Sequence, residues 1–494
     1  MARVLFVLPV PASHTPKLPL TNFMQGSLGV SHISALLRAH GHQTEAFVAG
    51  HNHLAYGRRL LSETVRRFKP DLVGFSMTAP VFQDGVDLVR WLRQRHPELY
   101  LIAGGPHVSL NPEAALAAGF DAACISEGEL ATLELVGQLG QGHRPKGIRN
   151  FWFRNGSTVE KNPTRPFLED LDSLPPADYG IWEKWIDPEM LAFHSQAGSP
   201  TVSVLLGRGC PFSCTYCSNH ALRKLASGTY VRVRSPEAIA AEIRTVGQLH
   251  PDVRTVYLEI ETIAAKEEWA IALCARLTAL NAERSRPLAF GCNLRLFPNL
   301  KPDGLFAAMK GANFTFVNIG LESGSERVRR EVLHRHYSNQ DVANAVTAAR
   351  RQGLRVHFYN MIGMPGETYE DFLETVRMNR LCAPDVHLTS IFEPYPGTEL
   401  HQLCKEKGYL RNYQYGVLGR ARAQLDLPGF SRARIQHCCD WFDYYIFKGR
   451  ISRVQLCLLL ASHWFHSSRA FNAFSRFEPF VRSLYRIKSR LVKA

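Results

Sequence analysis

The chain of 494 residues has no long hydrophobic run. Its best apolar stretch, Leu456–Ala461, is far shorter than the roughly 18–20 residues that cross a bilayer, so we expect no transmembrane helix. Low-complexity tracts and repeats of solenoid period are also missing, which excludes fibrous and repeat architectures. The opening MARVLFVLPVPASH has one charge and no small-residue cleavage site, and we expect a first strand there rather than a signal peptide.

The composition is that of a globular protein, with 45% hydrophobic and 21% charged residues, and the length predicts about three domains. Eleven cysteines, an odd number without a secretion signal, indicate reduced thiols in the cytoplasm. The formal net charge is +14, and residues 441–494 alone contain ten Lys or Arg against two Asp or Glu. More than half of the positive excess therefore lies at the C-terminal end.

Residues 1–140 alternate short apolar runs with helical patterns. This alternation is typical of a doubly wound parallel sheet, and we expect an α/β domain of the flavodoxin-like kind. Its five predicted strands are VLFVLPV, TEAFV, DLVGFSM, LYLIAGG and DAACI. Residues 141–199 are richer in Pro and Gly and form a connecting segment, with a hairpin predicted at Asn155-Gly156.

A second alternation covers residues 200–407. Six strand candidates, each followed by a helical pattern, predict a partial or open (β/α)6 barrel. The six candidates are VSVLLG, TVYLEIE, LAFGCNL, FTFVNIG, RVHFYNMIG and VHLTSIF. Residues 408–494 form a helical C-terminal region that is aromatic and basic.

The strongest motif is GRGCPFSCTYCSN, in which Cys210, Cys214 and Cys217 have the spacing C-x3-C-x2-C. A structural zinc site needs four ligands, and only His220 lies close enough in sequence to complete one. Ferredoxin spacings likewise provide a fourth thiolate. Three thiolates on an iron–sulfur cubane leave one iron open to an exchangeable ligand. The loop follows a predicted strand, at the barrel end where active sites form.

This loop resembles the cluster loop of the radical S-adenosylmethionine (SAM) superfamily. Three further segments resemble that family in the same order, namely Ile319–Val328, Met361–Thr368 and Pro394–Leu400. The resemblance implies that the open iron of a [4Fe-4S] cluster binds SAM, and that one-electron reduction by an external flavodoxin- or ferredoxin-type donor cleaves SAM to a 5′-deoxyadenosyl radical.

The same resemblance implies SAM contacts in the cluster loop and on later strands. The implied residues are Tyr216, Glu322, Ser323, Gly363 and Gly366. A helix N-cap at Ser323 and a plain strand-to-helix turn at the two glycines are the alternative interpretations.

The second barrel strand offers two more candidates. Glu259 and Glu261 share one face of the strand by its period of two, and we expect both to face the barrel lumen as SAM or substrate contacts. Asn293 and Arg295 share a strand face by the same argument. Whether Arg295 belongs to the site or to a structural salt bridge stays open.

In an open α/β sheet, ligands bind beyond the carboxyl ends of the strands. The first domain has no G-x-G-x-x-G after its first strand and no P-loop, which argues against a dinucleotide or nucleotide site. Its order before a radical SAM domain resembles the cobalamin-binding domain of cobalamin-dependent radical SAM enzymes. The resemblance implies cobalamin contacts at Ser76, Thr78, Gly104, Gly105, His107, Glu127, Gly128 and Glu129.

A D-x-H-x-x-G motif, which supplies an axial histidine in methionine synthase-like domains, is absent from the sequence. This absence argues against an adenosylcobalamin mutase and predicts cobalt without a protein histidine ligand. The resemblance implies a methyltransferase that methylates an unactivated carbon by means of the 5′-deoxyadenosyl radical and methylcobalamin. Oxidative cyclisation, as in the anaerobic magnesium-protoporphyrin cyclase, or a rearrangement is the alternative, and a cobalamin-binding sensor is a third. The substrate stays open.

The sequence of the C-terminal region predicts a contact with a membrane surface. Phe480–Ala494 places apolar residues on one helical face and basic residues on the rest of the surface. A helix of this kind can lie on anionic lipid headgroups, which predicts a cytoplasmic protein held at the inner face of the membrane and a lipid-like or other small-molecule substrate. A helix packed on the barrel with a solvated basic face is the alternative. Nucleic acid is not expected, because no RNA-binding motif accompanies the charge.

Overall fold

A computed structural model describes residues 1–11, 19–20, 26–186, 199–416 and 419–467. The first region forms one sheet with helices on both faces. Its elements are β1 (Arg3–Val10), α1 (Leu28–Ala39), β2 (Gln43–Gly50), α2 (Leu54–Phe68), β3 (Leu72–Ser76), α3 (Phe82–Arg95), β4 (Tyr100–Gly104), α4 (Pro106–Leu110), α5 (Pro112–Ala118), β5 (Ala122–Cys124), α6 (Glu129–Gly140), β6 (Phe151–Asn155) and β7 (Thr158–Lys161).

The strand order is β2-β1-β3-β4-β5-β6-β7, and the first five strands are parallel. This is the predicted flavodoxin-like order. β1 and β3 are buried on both faces because helices cover both sides, which explains their continuous apolar runs. The hairpin at Asn155-Gly156 is present, and it extends this sheet in antiparallel fashion, although its residues lie in the predicted connecting segment. The domain boundaries themselves stay a prediction.

The second region is the predicted open barrel. Its elements are β8 (Thr201–Leu205), β9 (Gly207–Arg208), α7 (Ser218–Leu222), β10 (Arg232–Val233), α8 (Pro236–Leu249), β11 (Thr255–Glu259), α9 (Glu267–Ala282), β12 (Ala289–Leu294), α10 (Asp303–Gly311), β13 (Phe314–Glu322), α11 (Asn339–Arg351), β14 (Arg355–Ile362), α12 (Tyr369–Cys382) and β15 (Val386–Ile391). The six long strands are parallel and pair in chain order, from β8 through β11–β14 to β15.

Side-chain caps set where several helices begin. Ser27 accepts a hydrogen bond from the backbone N–H of Val30 at the start of α1, and Ser235 caps α8 in the same way. Ser338 and Thr368 form full capping boxes at the starts of α11 and α12. Each cap ends a strand-to-helix loop at a defined residue, so the loops at the carboxyl edge of the barrel are held at their far ends.

Four α-helices of the described chain follow the last barrel strand, the first at the end of the predicted barrel region and the other three in the C-terminal region. They are α13 (Glu399–Glu406), α14 (Arg432–Asp440), α15 (Phe442–Phe447) and α16 (Arg453–Ser467). The predicted amphipathic segment Phe480–Ala494 lies outside the described residues. Among the helices that the structure describes, none is both long enough and apolar enough to cross a membrane.

One hydrophobic core runs through both sheets and the segment that joins them. Aromatic residues of that segment anchor it on both sides. The Trp182 indole donates to Ser31 Oγ over 2.7 Å in α1, and the Tyr179 hydroxyl donates to Glu242 Oε1 over 2.6 Å in α8. The joining segment is therefore bonded to a helix of each region.

Candidate functional site

The cysteine loop connects β9 to α7. β9 pairs with β10 in a short antiparallel ribbon that sequence patterns did not indicate, with Gly207 opposite Val233. Gly209 has a φ of 87°, and a Cβ there would stand 2.2 Å from the Tyr230 carbonyl oxygen, so only glycine fits. The ribbon turns the chain sharply, and Cys217 N–H then donates to Cys214 O over 3.1 Å.

The three thiols of this loop lie in a poorly solvated place. Cys210 and Cys214 are buried, Cys217 is half-buried, and all three are free. Burial raises the pKa of Cys210, and it raises the pKa of Cys217 to about 12. Thiolates at such positions need nearby positive charge, which the irons of a cluster supply. The donor set therefore fits an iron–sulfur cluster.

Over the described residues, no three His, Cys, Asp or Glu side chains converge on one metal ion. In a cubane each thiolate binds a different iron, so its ligands do not have to converge on a single point.

The strand end after β11 holds two carboxyl groups in one cavity of about 420 Å³. Ser203 Oγ donates to Glu259 Oε1 over 3.0 Å, and Asn219 hydrogen-bonds Glu261. Burial raises the pKa of Glu259 to about 7 and raises that of Glu261 as well. Asn293 lines the same cavity. The structure thus brings together the residues that strand periodicity placed on one face.

Glu322 and Ser323, the two predicted SAM contacts at the end of β13, have different hydrogen-bond partners. Glu322 has a φ of 58° and accepts a hydrogen bond from Arg335 Nη1 over 2.8 Å. Burial raises the pKa of the nearby Tyr216 hydroxyl, and the positive charge of Arg335 opposes that rise. Ser323 is fully buried, and its Oγ accepts from the N–H of Ser325 over 3.2 Å. The contacts of these residues with SAM stay predictions.

The glycine pair lies in a turn built around a buried acid. The backbone N–H groups of Gly363 and Met364 both donate to Glu367 Oε2, over 2.6 and 3.0 Å. Burial raises the pKa of Glu367 to about 8. Gly366 O accepts from Arg327 Nη2 over 2.9 Å. These bonds describe a strand-to-helix turn, the alternative interpretation, and a role toward SAM stays a prediction.

A second cavity of about 340 Å³ lies at the carboxyl edge of the first sheet, against α1 and α6. Six of the eight predicted cobalamin contacts line it, namely Ser76, Gly104, Gly105, Glu127, Gly128 and Glu129. Gly105 has a φ of 100°, and a Cβ there would stand 2.6 Å from Met77 O. Packing between adjacent strand ends is therefore enough to require glycine at this position.

The other two predicted contacts lie outside this cavity. Thr78 is exposed and precedes a 3-10 turn at Ala79–Val81. His107 lies in α4, a short helix not expected from the sequence, and its ring packs against that of Phe82 with centroids 4.3 Å apart and an angle of 43° between the planes. Burial lowers the pKa of His107 to about 4, so the ring is neutral near pH 7. Contacts of these two residues with cobalamin stay predictions.

The two predicted acids of the first domain pair with arginines of the barrel. Arg208 donates to Glu127 over 3.0 Å and also bonds Glu129, while Arg232 meets Glu127 at 2.9 Å. Glu127 further accepts from the Leu168 N–H over 2.8 Å. We name these four charged residues, Glu127, Glu129, Arg208 and Arg232, the interdomain bridge. Sequence reasoning missed both arginines, because their partners lie about 80–105 residues away in the chain.

His32 is another residue that sequence reasoning missed. It lies on α1, lines the second cavity and is only 2% exposed. Neither ring nitrogen has a hydrogen-bond partner among the described residues. Burial lowers its pKa, so the ring is neutral and can both donate and accept a hydrogen bond. No local pattern distinguishes it from an ordinary core histidine.

The two cavities adjoin each other. They share seven lining residues, which are Leu28, Gly105, Pro106, Ser126, Glu127, Leu205 and Arg208. Part of the interdomain bridge thus forms their common wall. A ligand on the first sheet and a ligand beside the cysteine loop would therefore lie close together, next to this wall.

Two family models match the chain. The B12 binding domain matches residues 24–136, and the Radical SAM superfamily matches residues 204–378, which contain the cysteine loop, the end of β8 and the four complete barrel strands β11–β14. The chain is a cobalamin-dependent radical SAM enzyme. The two cavities therefore correspond to its two matched domains, and the expected cofactors are confirmed as cobalamin, SAM and a [4Fe-4S] cluster.

This radical SAM enzyme is similar to known proteins along most of its length. It is 26% identical over 342 residues to an uncharacterized methyltransferase of Pyrococcus horikoshii, covering 69% of this chain and 70% of the relative. It is also 26% identical over 388 residues to the anaerobic magnesium-protoporphyrin IX monomethyl ester cyclase of Rubrivivax gelatinosus, covering 76% of this chain and 66% of the relative.

A solved structure establishes the same fold. It is the radical SAM methyltransferase TsrM from Kitasatospora setae with cobalamin and a [4Fe-4S] cluster bound. The TM-score is 0.68 at 14% identity, and all of both chains is covered. At this identity the likeness concerns the fold, in which a cobalamin domain precedes a radical SAM domain.

Proposed function

We propose that this enzyme is a C-methyltransferase that methylates an unactivated carbon of a small molecule. The observation that carries the proposal is the shared wall of the two cavities, through Leu205 and Arg208 of the barrel and Gly105 of the first sheet. A methyl group can pass from one cofactor to a substrate activated by the other only if both face the same carbon. Two cavities with seven lining residues in common support such an arrangement.

In this proposal Cys210, Cys214 and Cys217 hold the cluster, and the cavity beside them takes SAM against Glu259 and Glu261. When bound, the cluster and SAM supply hydrogen-atom abstraction, and the cobalamin supplies methyl transfer. The chain itself orients the ligands. Burial raises the pKa of Glu259 to about 7, so its carboxyl group can hold a proton in the cavity that it lines. The ion pairs of the interdomain bridge join the first sheet to the barrel.

Similarity to named proteins supports the methyl-transfer assignment. The Pyrococcus relative is named a methyltransferase, and TsrM is one. Oxidative cyclisation without methyl transfer is the second candidate, because the Rubrivivax cyclase matches at the same identity over more of this chain. Both candidates use the same two cofactors, so only the product distinguishes them.

The experiment uses SAM with a deuterated methyl group. The reconstituted enzyme is incubated anaerobically with cobalamin, reductant, labelled SAM and metabolite and lipid extracts from a strain that lacks the protein. A methyltransferase transfers the label to a product and releases both S-adenosylhomocysteine and 5′-deoxyadenosine, because one SAM supplies the methyl group and a second supplies the radical. A cyclase releases 5′-deoxyadenosine without S-adenosylhomocysteine, and its product has lost hydrogen and carries no label. The Cys214→Ala variant is the control, and it should form neither product.

We further propose two partners. Reduction of the buried cluster requires a small one-electron donor of the flavodoxin or ferredoxin type. The C-terminal region contacts an anionic membrane, a proposal supported by its positive charge and by the exposed apolar residues Val454 and Leu458, at 70% and 48% exposure.

Flotation with anionic liposomes at low salt tests the membrane contact. The full chain should float, and the double variant Val454→Asp with Leu458→Asp should float less. Leu249→Asp is the matched control, because Leu249 is 54% exposed but ends α8 on the barrel. If the full chain stays at the bottom of the gradient, the membrane contact is wrong.

A further inference from the structure

Arg295 follows the last residue of β12 and therefore lies at the carboxyl edge of the barrel. Its residue is only 7% exposed. The guanidinium carbon stands 3.5 Å from the ring centre of Phe212, which lies in the loop between Cys210 and Cys214. This stack ties a buried cation to the loop that presents the cysteines.

Arg295 differs from every other buried arginine that the structure describes. Three of those form ion pairs with carboxylates at 2.7–2.9 Å, namely Arg232, Arg234 and Arg335. Arg329 donates to backbone and amide oxygens at 2.6–3.2 Å. Arg295 has no ion pair or side-chain hydrogen bond within the described ranges. Its Nε is buried without a partner, as are those of Arg234, Arg329 and Arg335, but those three bond through other guanidinium nitrogens. The salt-bridge interpretation left open by the sequence is therefore wrong for this part of the chain.

A buried charge without a counter-ion is unfavourable, because it loses hydration and gains no attraction in return. Burial and the neighbouring Arg335 accordingly lower the pKa of Arg295, whereas the charges of Cys214 and Cys210 raise it. The groups whose negative charge would favour the charged form of Arg295 are thus two cysteines of the loop and the Tyr337 hydroxyl, and of these the cysteines are the predicted cluster ligands. A cluster on three thiolates becomes more negative when it takes an electron, and a fixed cation beside it stabilises the reduced form more than the oxidised form.

We infer that Arg295 is the counter-charge of the iron–sulfur cluster and raises its reduction potential. The residue acts through the electrostatic field at the cysteine loop and is a positioning residue rather than a catalytic one. The inference rests on the proposed assignment of Cys210, Cys214 and Cys217 as ligands, and it does not depend on methyl transfer.

The experiment is a redox titration of the reconstituted enzyme, followed by electron paramagnetic resonance without SAM and without substrate. Arg295→Gln removes the charge and keeps a polar side chain of moderate size. We expect the ratio of reduced to oxidised cluster at a given potential to fall about tenfold, which is about 59 mV for a one-electron couple. Arg295→Lys keeps the charge and should retain most of the wild-type potential.

Arg355→Gln is the matched control. Arg355 stands 5.8 Å above the ring of Phe316 but begins β14, at the opposite edge of the barrel. Its removal should leave the potential unchanged. Iron content and absorbance, measured on each sample, test the ligand assignment separately, so failure of that assignment is distinguished from failure of the inference.

Two results would overturn the inference. One is an Arg295→Gln enzyme that loads its cluster and titrates at the wild-type potential. The other is a shift that occurs only when SAM is added, because Arg295 would then act on the SAM carboxylate. If the Gln variant does not load, the Lys variant decides: a potential near that of the wild type supports the inference, and a tenfold fall contradicts it.

Discussion

The carboxyl edges of the two sheets differ in how their charged side chains are paired. On the first sheet, Glu127 and Glu129 are neutralised by Arg208 and Arg232, and the remaining wall is mainly apolar. At the barrel end, Glu259 and Glu261 have no cationic partner in the described ranges, and Arg295 has no anionic one. A bulky cofactor can be held largely by shape against the first wall. Charges left unpaired at the second suit the amino, carboxylate and sulfonium groups of SAM and an anionic cluster.

The largest expected effect concerns the cysteine loop, whose buried thiolates need the positive charge of the cluster irons. Replacing Cys210, Cys214 or Cys217 with alanine should abolish the iron–sulfur absorbance and SAM cleavage, because two thiolates hold a cubane poorly. Iron analysis and visible spectra of the reconstituted variants measure this. Cys438→Ala, at a fully buried thiol of α14, should load normally. An equal loss in that control would contradict the ligand assignment.

The second prediction concerns the ion pairs that join Glu127 and Glu129 to Arg208. Arg208→Met leaves Glu127 and the almost fully buried Glu129 without their shared cation. Removing one member of such a buried set typically costs about 3–5 kcal/mol, so the thermal midpoint should fall clearly. Scanning calorimetry measures it, with Arg351→Met as the control.

Arg351 pairs with Asp303 on the surface, where both side chains are more than half exposed, and its loss should matter little. Adding Glu129→Gln to Arg208→Met should recover part of the loss. A double variant no more stable than Arg208→Met would show that the bridge acts through packing rather than charge.

The third prediction concerns pH and the unpaired acid at the barrel end. Burial raises the pKa of Glu259 from 4.5 to about 7, so the folded chain binds a proton that the unfolded chain has released. The free energy of unfolding of the wild type should therefore decrease as the pH rises from 4.5 to 7, by at most about 3 kcal/mol. Chemical denaturation of wild type and Glu259→Gln across this range isolates the effect. A difference between the two that is constant with pH would contradict it.

The smallest expected effect distinguishes two histidines of the first domain. His32→Phe should weaken hydroxocobalamin binding about fivefold to tenfold, the loss of about one hydrogen bond. His107→Phe should not change it, since His107 packs against Phe82 outside the cavity. Equilibrium titration of the anaerobic protein measures both affinities. A loss of affinity in His107→Phe but not in His32→Phe would assign the cobalamin contact to His107 rather than to His32.

Local patterns predicted the architecture well. Both sheets, their parallel pairing and the strand order of the first sheet follow from short apolar runs that alternate with helices. The sequence did not predict α4 or the β9–β10 ribbon, because both depend on tight turns at Gly105 and Gly209. Two-residue and five-residue elements carry too little periodicity to be recognised.

The candidate site was predicted unevenly. Strand periodicity correctly grouped Glu259 with Glu261, which line one cavity. The assignment of the three cysteines as cluster ligands stays a prediction. In contrast, the residues implied by resemblance at Ser323 and His107 turned out to be buried among other side chains. Resemblance transfers a position in the chain, whereas the direction of a side chain depends on its neighbours.

The sequence by itself determined the chemistry available to this protein. Three cysteines spaced for a cluster, a sheet suited to cobalamin and the order of the two domains are local or serial features, so they can be read from one chain. Only the tertiary structure decided which charged side chains form ion pairs. Glu127 meets Arg208 across 81 residues, while Arg295 meets no acid at all in the described part of the chain. Such pairing depends on how two separately patterned sheets pack, and no local pattern encodes that packing.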